Sequence, residues 1–299
     1  MTTARTRPTN ATAAGTTASP QTVPCDGRTV AYAEYGSPDG TPLLFFHGTP
    51  GSRILGTLFD SAARERDVRV IAPDRPGYGR SDPWPDRTPT DVGAYVDAIL
   101  ADADVSAAAV VGFSGGATYA LALAATRPDV VTAVDLVASP APPAVTDATP
   151  RFQRALGTLA SHTPAVMRGL YAVNRFVADH ASPSTVVSQY TSDDGPPVPD
   201  NVAHLVARDF REALCESTDG AVTETCLFTD DWGFDHADVR HDVRLWHGAR
   251  DENAPLVSAR DLRSALPHAD LSVFDDADHL TSLLRSRDAV LDAVSASTK

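Results

Sequence analysis

The chain has 299 residues, of which 42% are hydrophobic, and this is enough for one large α/β domain with an insertion or for two small domains. No window approaches the run of about twenty apolar residues that crosses a bilayer, so we expect no membrane partner. The formal net charge of -14 argues against nucleic-acid binding, because a polyphosphate partner needs a basic surface.

The N-terminal half begins with residues 1–22, which are rich in Thr, Ala, Ser and Pro and carry no apolar stretch of the signal-peptide kind. We therefore expect a disordered tail and an intracellular, cytoplasmic protein. Alternating and continuous apolar runs then predict an exposed edge strand at 28–36, strands at 42–46 and 68–72, and helices at 52–66 and about 90–100.

A buried strand, a sharp turn and a helix follow one another around Ser114. The run 107–111 is wholly apolar, the turn has the sequence Gly112-Phe113-Ser114-Gly115-Gly116, and segment 120–125 is rich in Ala and Leu. This order is typical of a nucleophile elbow, in which small residues flank a serine held in a strained backbone conformation. The pattern predicts that the Ser114 hydroxyl stands exposed at the sheet edge, at the positive end of the next helix.

Strands alternate with helices as far as an apolar run at 130–138, which predicts a mostly parallel, doubly wound sheet with helices on both faces. The alternation breaks at 139–238, where we expect a helical cap insertion. Residues 23–138 and 239–299 would form the core. The predicted helices of the cap are 152–178, 184–190 and 201–216; the core resumes with strands at 243–247 and 271–274 and helices at 257–266 and 280–294.

A serine alcohol needs a general base and an acid that orients that base. Asp251 follows the predicted strand 243–247 and His279 follows the last strand. With Ser114 they give the order Ser, Asp, His, and from about residue 27 the chain resembles the α/β-hydrolase superfamily, in its serine-nucleophile branch with a helical cap. The resemblance implies that Ser114 is the nucleophile, His279 the base and Asp251 the acid. It also implies an oxyanion hole formed by the backbone N–H groups of Gly115 and Thr49.

Other conspicuous residues receive structural interpretations. We expect His47 to brace the oxyanion turn, Asp74 and Arg75 to tie loops together, Trp232 and Phe234 to pack in the core, and Asp275, Asp276 and Asp278 to form a solvated acidic loop. Cys25, Cys215 and Cys226 show no metal-ligand spacing and are interpreted as small buried hydrophobic residues. No metal and no cofactor is expected.

Neighbouring families share parts of this pattern. The turn His47-Gly-Thr-Pro also resembles epoxide hydrolases and haloalkane dehalogenases, but those use an aspartate nucleophile where this chain has Ser114. Proline iminopeptidases have a glycine where Thr49 stands, and need cap carboxylates for a substrate ammonium. Glu212 and Glu216 lie at helical spacing and could serve, although a solvated helix face is the simpler interpretation.

The default prediction is hydrolysis of a carboxylic ester or lactone of a small to medium substrate through an acyl-enzyme. An aminopeptidase activity, a cofactor-free haloperoxidase-like side activity and a non-catalytic ligand receptor stay open as alternatives. The only partner expected is a small-molecule substrate. The sequence does not give the natural substrate or the oligomeric state.

The charged residues are unusual in kind. Only six of the 39 acidic residues are glutamate, and only one of the 25 basic residues is lysine. This composition resembles that of proteins from salt-accumulating archaea, because an aspartate-rich, lysine-poor surface stays hydrated in concentrated salt. We therefore predict that stability and activity require molar salt. An acidic protein from a GC-rich mesophilic genome is the alternative.

Overall fold

The computed structural model describes residues 19–227 and 229–296. Within these residues one eight-stranded sheet has the order β1-β2-β4-β3-β5-β6-β7-β8. Its strands are β1 (Gln21–Cys25), β2 (Arg28–Gly36), β3 (Thr41–Phe46), β4 (Val68–Pro73), β5 (Ala108–Phe113), β6 (Val131–Val137), β7 (Val243–Gly248) and β8 (Ala269–Phe274). β2 pairs antiparallel with β1 and β4, and all other pairs are parallel. This confirms the predicted α/β-hydrolase fold with its mostly parallel sheet.

The helices of the described residues are α1 (Asp60–Glu65), α2 (Val92–Ala103), α3 (Gly116–Thr126), α4 (Arg151–His162), α5 (Pro164–His180), α6 (Pro183–Val187), α7 (Asp200–Ala213), α8 (Asp219–Leu227), α9 (Leu256–Ala265) and α10 (His279–Ala296). Short 3-10 helices occupy Arg53–Phe59, Pro89–Asp91, Pro128–Val130 and His236–Asp238. Helices α4 to α8 all lie between β6 and β7, in the stretch where the strand–helix alternation breaks. None of the described helices is long and apolar enough to span a membrane.

The central strands separate two hydrophobic cores because successive side chains point to opposite faces of the sheet. Leu44 and Phe46 of β3 pack in one core with α2, α3 and α9. Leu43 and Phe45 pack in the other with α1 and α10. Every residue of β4 and β5 is buried, as expected for parallel strands covered on both faces. Ser114, at the carboxyl end of β5, is therefore carried by the most enclosed part of the fold.

Three predictions at the N-terminal side needed correction. β2 has the predicted bounds but is not an edge strand, because it pairs with β1 over residues 28–32 and with β4 over residues 32–36. β1 begins at Gln21, inside the predicted tail, and the rest of that tail before residue 19 lies outside the described residues. The predicted helix 52–66 is a 3-10 helix followed by the short α1.

The predicted helices of the insertion needed more correction. The helix expected at 152–178 is interrupted at Thr163, because Pro164 lacks an N–H and restricts the backbone of the residue before it. Helix α8 was not predicted. Trp232 is 1% exposed and belongs to the core beside α2 and α3, in agreement with the packing role expected for it. The three cysteines are free thiols; Cys25 is buried and the other two are half-buried.

Candidate active site

The turn between β5 and α3 has the geometry of the predicted elbow. Ser114 has a φ of 52°, in the left-handed region, and its backbone N–H donates to Val137 O at 2.9 Å. A side chain at Gly116 would overlap the backbone oxygen of Phe46, and one at Gly112 would overlap the first turn of α3. Glycine at these two positions lets the strand, the turn and the helix approach one another closely enough to expose the serine.

His279 is the first residue of α10, and Asp251 lies in the loop between β7 and α9. Their side chains meet with 2.8 Å between His279 Nδ1 and Asp251 Oδ2. The other carboxylate oxygen, Oδ1, accepts from the backbone N–H groups of Asn253 at 2.9 Å and Ala254 at 2.8 Å. An ionised carboxylate can only accept, so it holds the proton of the neutral imidazole on Nδ1 and leaves Nε2 as the basic nitrogen.

The ionisation of Asp251 follows from two opposing effects. Burial has the largest single effect and raises the pKa of this carboxyl group, but His279, together with the other hydrogen-bonding and charged groups around the carboxylate, lowers it below the ordinary value. Behind the pair, His247 Nε2 lies 2.7 Å from Ala254 O and 3.6 Å from Asp251 Oδ2. Burial lowers the pKa of His247, so this second imidazole is neutral and hydrogen-bonds the loop that carries Asp251.

Two aromatic rings enclose the His279 imidazole. The Phe113 ring lies 5.1 Å from it, and the Tyr190 ring lies nearly parallel to it at 6.5 Å. Tyr190 follows α6 in the segment between β6 and β7 that carries helices α4 to α8, which we call the inserted region. Its carbonyl accepts from the N–H of Leu280 at 3.0 Å. The inserted region therefore helps to hold the start of α10, a contact that the sequence did not indicate.

A cavity of about 460 Å³ opens at the end of the sheet, between the core and the inserted helices. Ser114, Gly115, Thr49 and His279 all line it, whereas Asp251 lies behind His279. Apart from His279, the lining side chains within the described residues are apolar or neutral polar, and none is Asp, Glu, Lys or Arg. The structure thus brings the five predicted site residues together beside a pocket of uncharged character.

The turn that carries Thr49 is held by a buried arginine. Arg75 donates to the carbonyl oxygens of His47 and Gly48 and to Thr49 Oγ1, the last two at 3.0 and 3.1 Å. Glu224 of α8 accepts from Arg75 Nε at 2.7 Å and from Thr49 Oγ1 at 2.5 Å. A carboxylate of the inserted region therefore contacts the Thr49 side chain directly and, through Arg75, fixes the backbone before it.

Glu224 is wholly buried but remains charged. Burial would raise its pKa, but Arg75 and then Arg87 lower it, to about 2. Arg87 Nη2 lies 3.0 Å from Glu224 Oε1, and the Tyr78 hydroxyl donates to Oε2 at 2.9 Å. The position of Glu224 in this cluster could not be predicted from the sequence, because Glu224 lies in the helix that was not predicted.

His47 and Asp74 occupy the bracing positions expected of them. His47 Nδ1 donates to Gly48 O at 2.7 Å and Nε2 accepts from the N–H of Arg75 at 3.3 Å. Burial, followed by the charge of Arg75, lowers the pKa of His47 well below its ordinary value, so the ring is neutral. Asp74 accepts from the backbone N–H of Arg53 at 2.7 Å and from that of Arg80 at 2.9 Å.

Two interpretations of acidic residues were wrong. Glu212 does not lie on a solvated face, since it pairs with Arg53 at 2.7 Å and with Arg80 at 3.3 Å. Asp278 is not in a solvated loop, since it is 1% exposed and accepts from the backbone N–H of Thr281 at 3.0 Å. Glu212 is held by arginines that are distant in sequence, and Asp278 is held by a backbone N–H group at the start of α10.

Comparison with known proteins agrees with this architecture. The sequence model of the alpha/beta hydrolase fold matches residues 41–286, and the chain belongs to this family. The pimeloyl-[acyl-carrier protein] methyl ester esterase of Aromatoleum aromaticum is 30% identical over 233 residues, which are 75% of this chain and 85% of that protein. The enol-lactonase of Burkholderia xenovorans superposes with a TM-score of 0.67 at 18% identity, covering 93% of this chain and all of the other.

Shorter matches also occur. The proline iminopeptidase of Neisseria gonorrhoeae is 33% identical over 104 residues, which are 33% of each chain. The chain spans only about a third of the length of several of the curated relatives that it matches. These partial matches show similarity over one segment only, and the rest of each of those proteins is not aligned with this chain.

Proposed function

We propose that this protein is a serine hydrolase that cleaves a carboxylic ester or lactone through an acyl-enzyme, in the carboxylic-ester hydrolase class. The observation that carries the proposal is the meeting of Ser114 and His279 on one cavity wall, with Asp251 hydrogen-bonded to the far nitrogen of His279. Esterase and lactonase activities in the names of the Aromatoleum and Burkholderia proteins support the same reaction class.

The proposed mechanism assigns one task to each group. Ser114 Oγ attacks the ester carbonyl while His279 Nε2 takes its proton and then passes it to the departing alcohol. Asp251 stays ionised and holds the imidazole in the required tautomer. The N–H groups of Gly115 and Thr49 donate to the oxyanion, and each such donor typically contributes a factor of about a hundred to a thousand in rate. Water then repeats the sequence on the acyl-enzyme and releases the acid.

The cavity lining favours an uncharged substrate. A buried charge requires a partner, and the described lining offers no carboxylate and no cationic side chain other than His279. An aminopeptidase would need an acidic group for the substrate ammonium. Glu212 and Glu216 are engaged by Arg53 and Arg80 and do not line the cavity, so they argue against that alternative.

Covalent labelling tests the proposal. A fluorophosphonate probe should modify Ser114, as located by peptide mass spectrometry in high salt, and the Ser114→Ala variant should remain unlabelled. Ser258→Ala is the matched control, because Ser258 lines the same cavity and should leave labelling intact. An unlabelled wild-type protein would instead support a non-catalytic receptor. Rates on p-nitrophenyl esters should exceed those on aminoacyl anilides, and the reverse order would favour the aminopeptidase.

A further inference from the structure

Two cavities of very different size meet at Ser114. Besides the cavity of about 460 Å³, a pocket of about 20 Å³ also opens at the serine, between a different set of walls. Ser114, Thr49, Pro50 and Tyr190 line both. The nucleophile and one proposed oxyanion donor therefore stand at the junction, and a bound ester would extend from this point in two directions.

The position of His279 indicates which part of the ester, the alcohol or the acyl group, lies in each of the two cavities. His279 lines the large cavity and is absent from the lining of the small pocket. The general acid has to reach the leaving oxygen within hydrogen-bonding distance. The departing alcohol must therefore lie in the large cavity. The acyl carbon bonded to Ser114 then directs its remaining substituent toward the small pocket.

The small pocket limits the size of that substituent. A single water molecule needs about 10–15 Å³ of the same space, so a pocket of about 20 Å³ accepts one methyl group. Its apolar walls include Leu55, Phe113, Val206 and Leu280, all of which are at most 4% exposed. Walls packed this tightly do not yield to an additional methylene without loss of other contacts.

Asp209 of α7 completes the pocket and fixes one of its walls. Its Oδ1 accepts from the backbone N–H groups of Ser52 at 2.9 Å and Leu55 at 3.1 Å. These bonds tie the segment that carries Leu55 to the helix that carries Val206. The pocket is therefore shaped jointly by the core and by the inserted region, and its width depends on both.

We propose, on the basis of the serine-hydrolase function above, that the substrate is the acetyl ester of a larger uncharged alcohol. Ser114 Oγ bonds to the acetyl carbonyl carbon, the bond from that carbon to the alcohol oxygen breaks, and this oxygen receives the proton held by His279. Water then adds its oxygen to the acetyl carbon and gives one proton to His279, and acetic acid departs as Ser114 Oγ regains that proton; the acid then ionises in solution.

Two isomeric esters test this assignment on the wild-type protein. Octyl acetate has a small acyl group and a long alcohol, whereas methyl nonanoate has the same atoms with these sizes exchanged. Followed by pH-stat in high salt, kcat/KM for octyl acetate should exceed that for methyl nonanoate by about tenfold or more, because even one misplaced methylene costs about that factor. Equal rates, or faster cleavage of methyl nonanoate, would overturn the assignment.

Variants of the cavity walls test whether the small pocket limits the length of the acyl group. Leu55→Ala and Val206→Ala each widen the small pocket and should raise the ratio of p-nitrophenyl butyrate to p-nitrophenyl acetate hydrolysis about tenfold. Leu156→Ala is the matched control, because Leu156 lines the large cavity alone and should leave this ratio unchanged. An unchanged ratio in a folded Val206→Ala or Leu55→Ala protein would contradict the proposal, as would a tenfold rise in Leu156→Ala.

These outcomes separate the two proposals. If the wild-type protein cleaves neither isomer nor any p-nitrophenyl ester, and the fluorophosphonate does not label Ser114, the hydrolase function itself is wrong. If it cleaves methyl nonanoate faster than octyl acetate, the hydrolase function stands and the acetyl assignment is wrong.

Discussion

The sheet and the inserted helices differ sharply in how they bury their side chains. All six residues of β4 and all six of β5 are buried, whereas only Met167 and Ala178 are buried in the 17 residues of α5. Seven of the nine large exposed apolar side chains among the described residues lie on α4 and α5. The two regions that enclose the same cavity thus have very different packing. We propose that the densely packed sheet supplies the chemistry and that both regions together set the fit of the substrate.

The inserted region is fixed to the core by carboxylates rather than by apolar packing alone. Glu224 of α8 is held by Arg75 and Arg87, and Asp209 of α7 is held by Ser52 and Leu55. Charge and hydrogen bonding specify position more strictly than apolar contact does. The comparison therefore predicts that changes at the sheet edge remove activity, and that changes at these two contacts alter stability and geometry together.

The largest expected effect is at the elbow. Ser114→Ala should lower kcat by up to about a millionfold, since removing the nucleophile of such a triad removes its whole contribution, while the Tm stays the same. Ser139→Ala is the control, because this buried serine follows the neighbouring strand β6 and donates to Pro140 O. A Ser114→Ala protein that keeps its esterase rate would place the chemistry elsewhere.

The next effect is at Asp251. Asp251→Asn keeps the shape of the side chain but should lower kcat by roughly ten-thousandfold, because an amide can stabilise the wrong imidazole tautomer. Asp278→Asn is the matched control: this carboxylate is equally buried and adjacent to His279, but it bonds Thr281 and Ser192. Similar losses in both variants would show that buried charge, and not imidazole orientation, controls the rate.

The contact between the two regions can be broken at Glu224. Glu224→Gln leaves Arg75 and Arg87 undercompensated, and we expect a loss of about 3 kcal/mol and a Tm lower by about 8 °C, together with a reduced kcat because the Thr49 turn is released. Glu212→Gln is the control and should cost about 1 kcal/mol at most, since Arg53 retains Asp74.

The pH dependence of the same contact has a defined sign. Because the pKa of Glu224 is lowered to about 2 from a reference of 4.5, its stabilisation is present above pH 4.5 and is lost as the pH falls from there toward 2. When the free energy of unfolding is measured by circular dichroism as the pH falls from 4.5 toward 2, the decrease caused by protonation of Glu224 should therefore be absent in Glu224→Gln. An acid transition identical to that of the wild type would contradict the burial of a charged Glu224.

Asp209 should behave in the opposite way. Burial raises its pKa to about 7 from 3.8, so the folded state favours the protonated form; that stabilisation is full below pH 3.8 and is lost as the pH rises toward 7. Asp209→Asn should therefore be more stable than the wild type at pH 8, by on the order of 4 kcal/mol, and about equal to it at pH 4. Equal stability of the two proteins at both pH values would contradict the raised pKa.

The salt concentration should affect the charged surface and the uncharged cavity differently. If the aspartate-rich surface is adapted to salt, the Tm should rise continuously from millimolar to molar KCl, because screening relieves repulsion among like charges. The ratio of rates on esters with short and long acyl groups should stay the same as the KCl concentration changes, since the cavity lining is uncharged apart from His279. A Tm that is the same in millimolar buffer and molar KCl would favour the acidic mesophile alternative.

Much of the core could be predicted because its signals are local. The apolar run before Ser114, the glycines around it and the helix-forming residues after it specify a strand, a turn and a helix without reference to the rest of the chain. Asp251 and His279 were found because each follows a predicted strand, and parallel strands bring their carboxyl ends to one edge. Roles for these residues remain proposals, but their meeting at one edge followed from strand order.

The inserted region was harder to predict because its helices are stabilised by tertiary contacts. In helix α8 the polar run Thr223-Glu224-Thr225 separates two apolar pairs, so no helical stripe is apparent, and the helix packs against α4 and α5, which are partners that the sequence does not identify. The interruption at Pro164, by contrast, has a local signal, because a proline cannot continue the preceding helix. Strand β1 was missed because its residues continue the polar composition of the predicted tail.

The sequence by itself therefore determined the order of core strands and helices from β2 onward, the elbow at Ser114 and the choice of Asp251 and His279, since each depends on periodicity or on a short motif. Only the tertiary structure decided that Glu224 contacts Thr49 across 175 positions of chain, that Asp278 is buried, and that a large and a small cavity meet at Ser114. Long-range ion pairs and cavity volumes depend on how separate elements pack, and no local pattern in the chain encodes that packing.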